Sequence, residues 1–78
     1  MSDTRYIYDY KTHKAALYQV DKYLYAMGGT KPIHWLDKAY GYSYENQIPT
    51  LWIDGKYIYG LKPDGTAAGN EPIYYYAD

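Results

Sequence analysis

The sequence predicts an α+β domain: two adjacent helices packed on one face of a small, mainly antiparallel sheet of three or four strands, in the order β-α-α-β-β-β. Three observations lead there. "RYIYDY" places Tyr6, Tyr8 and Tyr10 at alternate positions, the period of a strand. In "THKAALYQVDKYLYAMGG", Ala16, Leu17, Val20, Leu24 and Met27 recur at helical spacing and form one apolar stripe. Asp54-Gly55 separates two β-rich runs in "IPTLWIDGKYIYG", the pattern of a hairpin with a two-residue loop.

Taken in order, residues 4–10 form the first strand. Thr12 serves as an N-cap and Gly28 as a C-terminal stop, which gives a helix near 13–27. A shorter helix opens at "TKPIHWLDKAYG", capped by Thr30 or Lys31, with Pro32 in its first turn and Gly41 at its end. So short a connection makes the two helices neighbours on one side of the sheet. The hairpin follows, then a turn at Lys62-Pro63-Asp64-Gly65, a loop at "TAAGNE" and a last strand in "PIYYYA". No repeat beyond the tyrosine alternation is expected.

The 78 residues make one domain, 1–78, with 47% hydrophobic and 22% charged residues, a globular balance. Eight Lys+Arg against nine Asp+Glu leave a formal charge of −1, which supplies no basic field for duplex DNA. There is no cysteine, hence no disulfide and no thiolate metal site. The start "MSDTRYIYDYK" lacks the apolar run of a signal peptide, and no stretch is long and apolar enough to span a bilayer. These features point to a cytoplasmic protein that does not engage a membrane.

A hairpin loop at Asp54-Gly55 sets Ile53 opposite Lys56, Trp52 opposite Tyr57, Leu51 opposite Ile58 and Thr50 opposite Tyr59. Cross-strand partners share a face. One face then carries Leu51, Ile53 and Ile58, and the other Thr50, Trp52, Tyr57 and Tyr59. The first strand divides in the same way, with Ile7 opposed to Tyr6, Tyr8 and Tyr10. The aliphatic face is expected beneath the helices and the aromatic face open. Arg5 and Asp9 beside Ile7 favour the reverse packing as the alternative. The chain has 14 Tyr and no Phe, and an open face explains that choice: tyrosine offers a large contact area while its hydroxyl stays hydrated.

No pattern commits the chain to catalysis. His34 and Asp37, three apart on the second helix, with Ser43 following, lack an assembled nucleophile and oxyanion arrangement. His13 and His34 are the only histidines, too few for a recognisable zinc set. "GGTKP" lacks the phosphate-loop pattern and follows a helix rather than a strand. A winged helix-turn-helix would have only Lys31 and Lys38 on its recognition helix. "IPTLWIDGKYIYG" resembles the proline-containing strand and hairpin of thioredoxin-fold proteins, with Pro49 in the proline's place; without cysteines the resemblance implies no disulfide chemistry. Tyr18 and Tyr25, seven apart, share a helix flank.

The expected function is therefore a non-enzymatic protein-binding module, of the kind phages and mobile elements use as small inhibitors or adaptors. It acts through Tyr6, Tyr8, Trp52, Tyr57 and Tyr59, on a protein partner or a second copy of the chain, without cofactor or metal. Tyrosine and tryptophan dominate binding hot spots, which supports that assignment. The alternative is a single-stranded nucleic-acid-binding protein that stacks bases on an aromatic sheet face, a role that also needs a cationic groove.

Overall fold

The computed structural model describes residues 4–77, and throughout them the strand period prevails. Eight strands run β1 Thr4–Asp9, β2 Ala15–Val20, β3 Tyr23–Ala26, β4 Pro32–Asp37, β5 Tyr40–Ser43, β6 Pro49–Asp54, β7 Tyr57–Gly60 and β8 Tyr74–Tyr76. Each pairs antiparallel with the next, and β8 returns to pair with β1, so the sheet closes into an all-β barrel. The α+β arrangement is thereby overturned. The predicted helix 13–27 is the β2–β3 hairpin, and the predicted second helix is the β4–β5 hairpin.

The error has a geometric cause. A two-residue hairpin loop brings residues three, five and seven apart into register, and a helix also gathers residues three and seven apart. Across Asp21-Lys22 the pairs are Val20 with Tyr23, Gln19 with Leu24 and Tyr18 with Tyr25. Tyr18 and Tyr25 stack at 5.0 Å, as cross-strand partners rather than neighbours on a helix flank. The β-formers Tyr18, Val20, Tyr23 and Tyr25, all on one outward face, decide for the strand.

The third tight hairpin corrects the expected register by one residue. Its loop is Gly55-Lys56, so Asp54 faces Tyr57, Ile53 faces Ile58 and Trp52 faces Tyr59. Moving the loop one residue along the chain changes every partner but preserves which residues share a face. The division into aliphatic and aromatic faces therefore stands, except at Thr50, which sits at a bulge and turns its hydroxyl toward His34. Its aliphatic side is buried inside the barrel, with no helix involved.

The core consists of Ile7, Leu17, Leu24, Leu51, Ile58 and Tyr76, with Ala16, Leu36, Ile53 and Tyr74 packed against it. Burying one such aliphatic side chain contributes roughly 1.5–3 kcal/mol. Gly41 leaves the room that Leu36 and Leu51 occupy: a Cβ there would lie 3.0 Å from the Leu51 Cβ and 3.2 Å from the Leu36 Cδ2. Tyr76 enters the core with its hydroxyl donating to Gln19 Oε1 at 2.6 Å, and the Arg5 guanidinium lies 3.7 Å from its ring centre. Arg5 thus faces inward without an isolated polar end, which answers the objection that it sits awkwardly beside Ile7.

Most of the barrel is built on a repeat that the expectation of none had missed. Tyrosines occupy 6, 23, 40, 57 and 74, and again 8, 25, 42, 59 and 76, both in steps of 17. The backbone follows the same step. Bulges fall between 7 and 8, 24 and 25, and 41 and 42, opposite Ala15, Pro32 and Pro49. Proline suits such positions because it cannot donate to a regular ladder. Met27, Tyr44 and Leu61 donate their amides to the carbonyls of Ala16, Ile33 and Thr50. The unit beginning at Tyr57 departs from this pattern. Its residues 61–73 form a long loop pinned by a Leu61–Ala67 bridge, and β8 fills the gap between β7 and β1.

Candidate functional site

Because the core is lined mainly by aliphatic residues, alternation sends the aromatic residues outward, apart from Tyr74 and Tyr76. Cross-strand pairing then arranges them in four rows around the wall: Tyr6–Tyr18–Tyr25, Tyr23–Trp35–Tyr42, Tyr40–Trp52–Tyr59 and Tyr57–Tyr75–Tyr8. Each row contains one close ring pair. Tyr18 and Tyr25 stack at 5.0 Å, Trp35 and Tyr42 at 4.5 Å, and Tyr8 and Tyr75 at 5.8 Å, while Trp52 and Tyr59 meet tilted at 5.1 Å. Such pairs contribute about 0.5–1.5 kcal/mol beyond the area they bury. Each row of the wall is therefore braced by one ring pair.

The five residues expected to form the binding face lie on three strands, Tyr6 and Tyr8 on β1, Trp52 on β6, Tyr57 and Tyr59 on β7. The first strand does not pair with the hairpin directly. β8 stands between them, and its Tyr75 pairs with both Tyr8 and Tyr57. The continuous ridge is thus Tyr8–Tyr75–Tyr57, joined along β7 to Tyr59 and Trp52, with Tyr6 beside it on β1. Tyr6 and Tyr57 are exposed, and Tyr8, Trp52 and Tyr59 half-buried. The outward alternation of "YYY" could have revealed Tyr75, had β8 been placed beside β1.

Two clefts in the wall are built alike. The larger, about 420 Å³, is lined by Lys22, Tyr23, Trp35, Tyr44 and Gln47. The smaller, about 260 Å³, is lined by Lys56, Tyr57, Tyr75, Tyr10 and His13. Lys22 and Lys56, Tyr23 and Tyr57, Tyr44 and Tyr10, and Gln47 and His13 are each two repeat steps, 34 residues, apart. Trp35 and Tyr75 correspond in space, as the outward partners of Tyr23 and Tyr57. The correspondence extends to geometry. Tyr23 meets Tyr44 edge-on at 6.1 Å, and Tyr57 meets Tyr10 edge-on at 6.2 Å. The lysine amine lies 5.7 Å from the Tyr23 ring centre in one cleft and 5.6 Å from that of Tyr57 in the other.

The loops that frame the clefts match as well. Residues 10–14 and 44–48 connect β1 to β2 and β5 to β6. His13 and Gln47 occupy the left-handed region at φ 60° and 61°, and their amides donate to the carbonyls of Asp9 and Ser43. The Asp9 carboxylate accepts the amides of Thr12 and Lys11, which holds its pKa below the usual 3.8. In the smaller cleft the His13 Nδ1 is 3.0 Å from the Tyr75 hydroxyl. The two remaining positions of the repeat differ. Around Tyr6 and Tyr40 the loop tyrosine is replaced by Met27 and Leu61, and around Tyr40 the lysine is replaced by Ala39.

The groups weighed for chemistry are dispersed. His34 faces the interior, where its Nδ1 lies 3.2 Å from Thr50 Oγ1, and burial pushes its imidazole below the ordinary 6.5. Asp37 is three residues along the same strand and so points to the opposite face. His13 lies on the outer wall, and among the described residues no group of three His, Cys, Asp or Glu is placed to hold a metal. "GGTKP" is the β3–β4 loop, where Gly29 accepts the Tyr18 hydroxyl. With no helix in the described residues, neither a phosphate site at a helix N-terminus nor a recognition helix exists there, and Pro49 opens a barrel strand instead of a thioredoxin-fold one. No helix of the described residues is long and apolar enough to cross a membrane. The strands, of six residues at most, are shorter than the roughly 9–11 residues a strand needs to cross a bilayer.

Comparison with protein-family models, with curated proteins and with solved structures finds no match.

Proposed function

We propose that the protein is a non-enzymatic binding module whose outer aromatic wall docks on a protein partner, in the manner of a small inhibitor or adaptor. One observation carries the reading. The ridge formed by Tyr8, Tyr57, Tyr59 and Trp52, with Tyr75 between its halves and Tyr6 beside it, faces outward on the four adjacent strands β6, β7, β8 and β1. Large aromatics held by mutual stacking lose little rotamer freedom on contact, so more of the burial energy is retained as affinity. The wall also lacks the cationic groove on which single-strand binding depends, because its basic residues are scattered and the net charge is −1.

The test separates folding from binding. Tyr57 is 38% exposed and meets Tyr10 edge-on, so Tyr57→Ala should stay folded and lose only about 0.5–1.5 kcal/mol of stability, the scale of one ring contact. Binding to a partner captured by the wild type, or self-association followed by mass in solution, should weaken by about 2 kcal/mol or more. Unfolding of the variant without a specific binding defect defeats the proposal. Binding to single strands that collapses with added salt replaces it with the nucleic-acid reading.

A further inference from the structure

Beyond a protein-binding ridge, we infer that the two clefts are duplicate sites for a pyranose sugar, one on each side of the barrel, so that a single chain holds two sugar residues at once. The duplication is the first support. Tyr23 and Trp35 stand on β3 and β4, and Tyr57 and Tyr75 on β7 and β8, an offset of four strands in a closed barrel of eight. Half a turn separates the clefts, so one flat partner surface cannot cover both.

The lining chemistry is the second support. Each cleft presents three aromatic rings, one lysine amine and one amide or imidazole, and neither contains an aliphatic side chain or a carboxylate. A pyranose has the complementary form: a flat face of C–H groups for the rings and a rim of hydroxyls for the tyrosine hydroxyls, the amine and the amide or imidazole. An aliphatic peptide side chain would leave those polar groups unpaired. A cationic ligand would meet a lysine already seated over the tyrosine. A long polyanion would find too little positive field, since the chain carries a net charge of −1.

The backbone supplies the third support. His13 and Gln47 hold the left-handed conformation that favours glycine, and they do so in the two loops that frame the clefts. In the third loop of the same length, 27–31, Gly28 takes the positive φ and the corresponding Thr30 does not. Among the described residues Asp21 and Lys38 share this conformation, but in two-residue hairpin loops whose geometry calls for it; in the longer loops His13 and Gln47 are the only non-glycine residues that hold it. Here it holds one polar side chain at the mouth of each cleft.

The probe is an array of neutral and uronic-acid-containing oligosaccharides, followed by calorimetric titration of the best-retained oligosaccharide into the whole chain. The wild type should take up about two equivalents. Trp35→Ala and Tyr75→Ala should each leave about one site and the double variant none, with melting curves confirming that all are folded. Gln47→Gly and His13→Gly provide a second pair, because glycine accepts their backbone conformation. Each should weaken its own cleft by roughly tenfold, the scale of one lost side-chain hydrogen bond. Trp35 lies outside the proposed protein-binding ridge, so loss of one sugar site in Trp35→Ala with protein binding intact separates the two readings. Failure of the folded protein to retain any glycan overturns the inference, as does uptake of one equivalent insensitive to both pairs of variants, or retention of single-stranded DNA alone.

Discussion

Gly55 and Lys38 occupy the same place in two tight hairpins, and exchanging their residue types tests both the repeat and the hairpin register. Each is the first residue of its two-residue loop, with φ 65° at Gly55 and 59° at Lys38. A side chain in that region costs roughly 1–2 kcal/mol relative to glycine. Nothing lies within 4 Å of a Cβ built on Gly55, so Gly55→Lys adds no clash, and the cost is that of the backbone alone. Replacing glycine also removes freedom from the unfolded chain, which returns about 0.4–1 kcal/mol. The net loss is about 1 kcal/mol, a fall in melting temperature of roughly 4–8 °C for a domain of this size. Lys38→Gly reverses each of these effects and should raise the melting temperature by a similar amount. The two loops belong to different hairpins, so the double variant should melt close to the wild type. Thermal unfolding followed by circular dichroism reads all three. If Gly55→Lys is neutral while Lys38→Gly destabilises, the loop assignment and the repeat it belongs to are wrong.

Other outcomes follow from single side chains. His34 sits where the repeat otherwise places the core residues Leu17 and Leu51. Its folded pKa is depressed by burial, so the unfolded chain takes up the proton first; stability is full above about 6.5 and declines as the pH falls below it. His34→Leu should flatten that decline in melts recorded between about pH 5 and 7; an unchanged slope would assign the effect to another group. Gly41→Ala forces a methyl group to 3.0 Å from Leu51 and should cost about 1–3 kcal/mol in urea denaturation. A neutral result there would mean that the core around Leu36 and Leu51 yields freely.

The strand at "RYIYDY", the hairpin around Gly55 and the division of aliphatic from aromatic faces were legible because strand alternation is a local signal. The β2–β3 hairpin was not, since Leu17, Val20, Leu24 and Met27 satisfy helical spacing while Tyr18, Val20, Tyr23 and Tyr25 satisfy strand alternation. The 17-residue recurrence of paired tyrosines adds the sequence signal that favours the strand, by placing Tyr23 and Tyr25 in the role of Tyr57 and Tyr59. Four pairs of cleft residues were readable by the same step. Tyr75 was not, because it stands in for a strand that the repeat at Tyr57 does not form, and its position depends on closure between the two ends of the described chain.

Closure also determines how this protein can be approached. An open sheet offers its outer strands' amides and carbonyls to any extended peptide, and many recognition domains bind by accepting one more strand. Here β8 joins β7 to β1, so the described strands form a ring without an outer member. The hydrogen-bonding capacity of the main chain is largely consumed in holding the ring together. A visiting molecule must therefore read the barrel through its side chains, and tyrosine dominates what they present. Affinity and selectivity can then be tuned by outward substitutions that leave the ladder untouched.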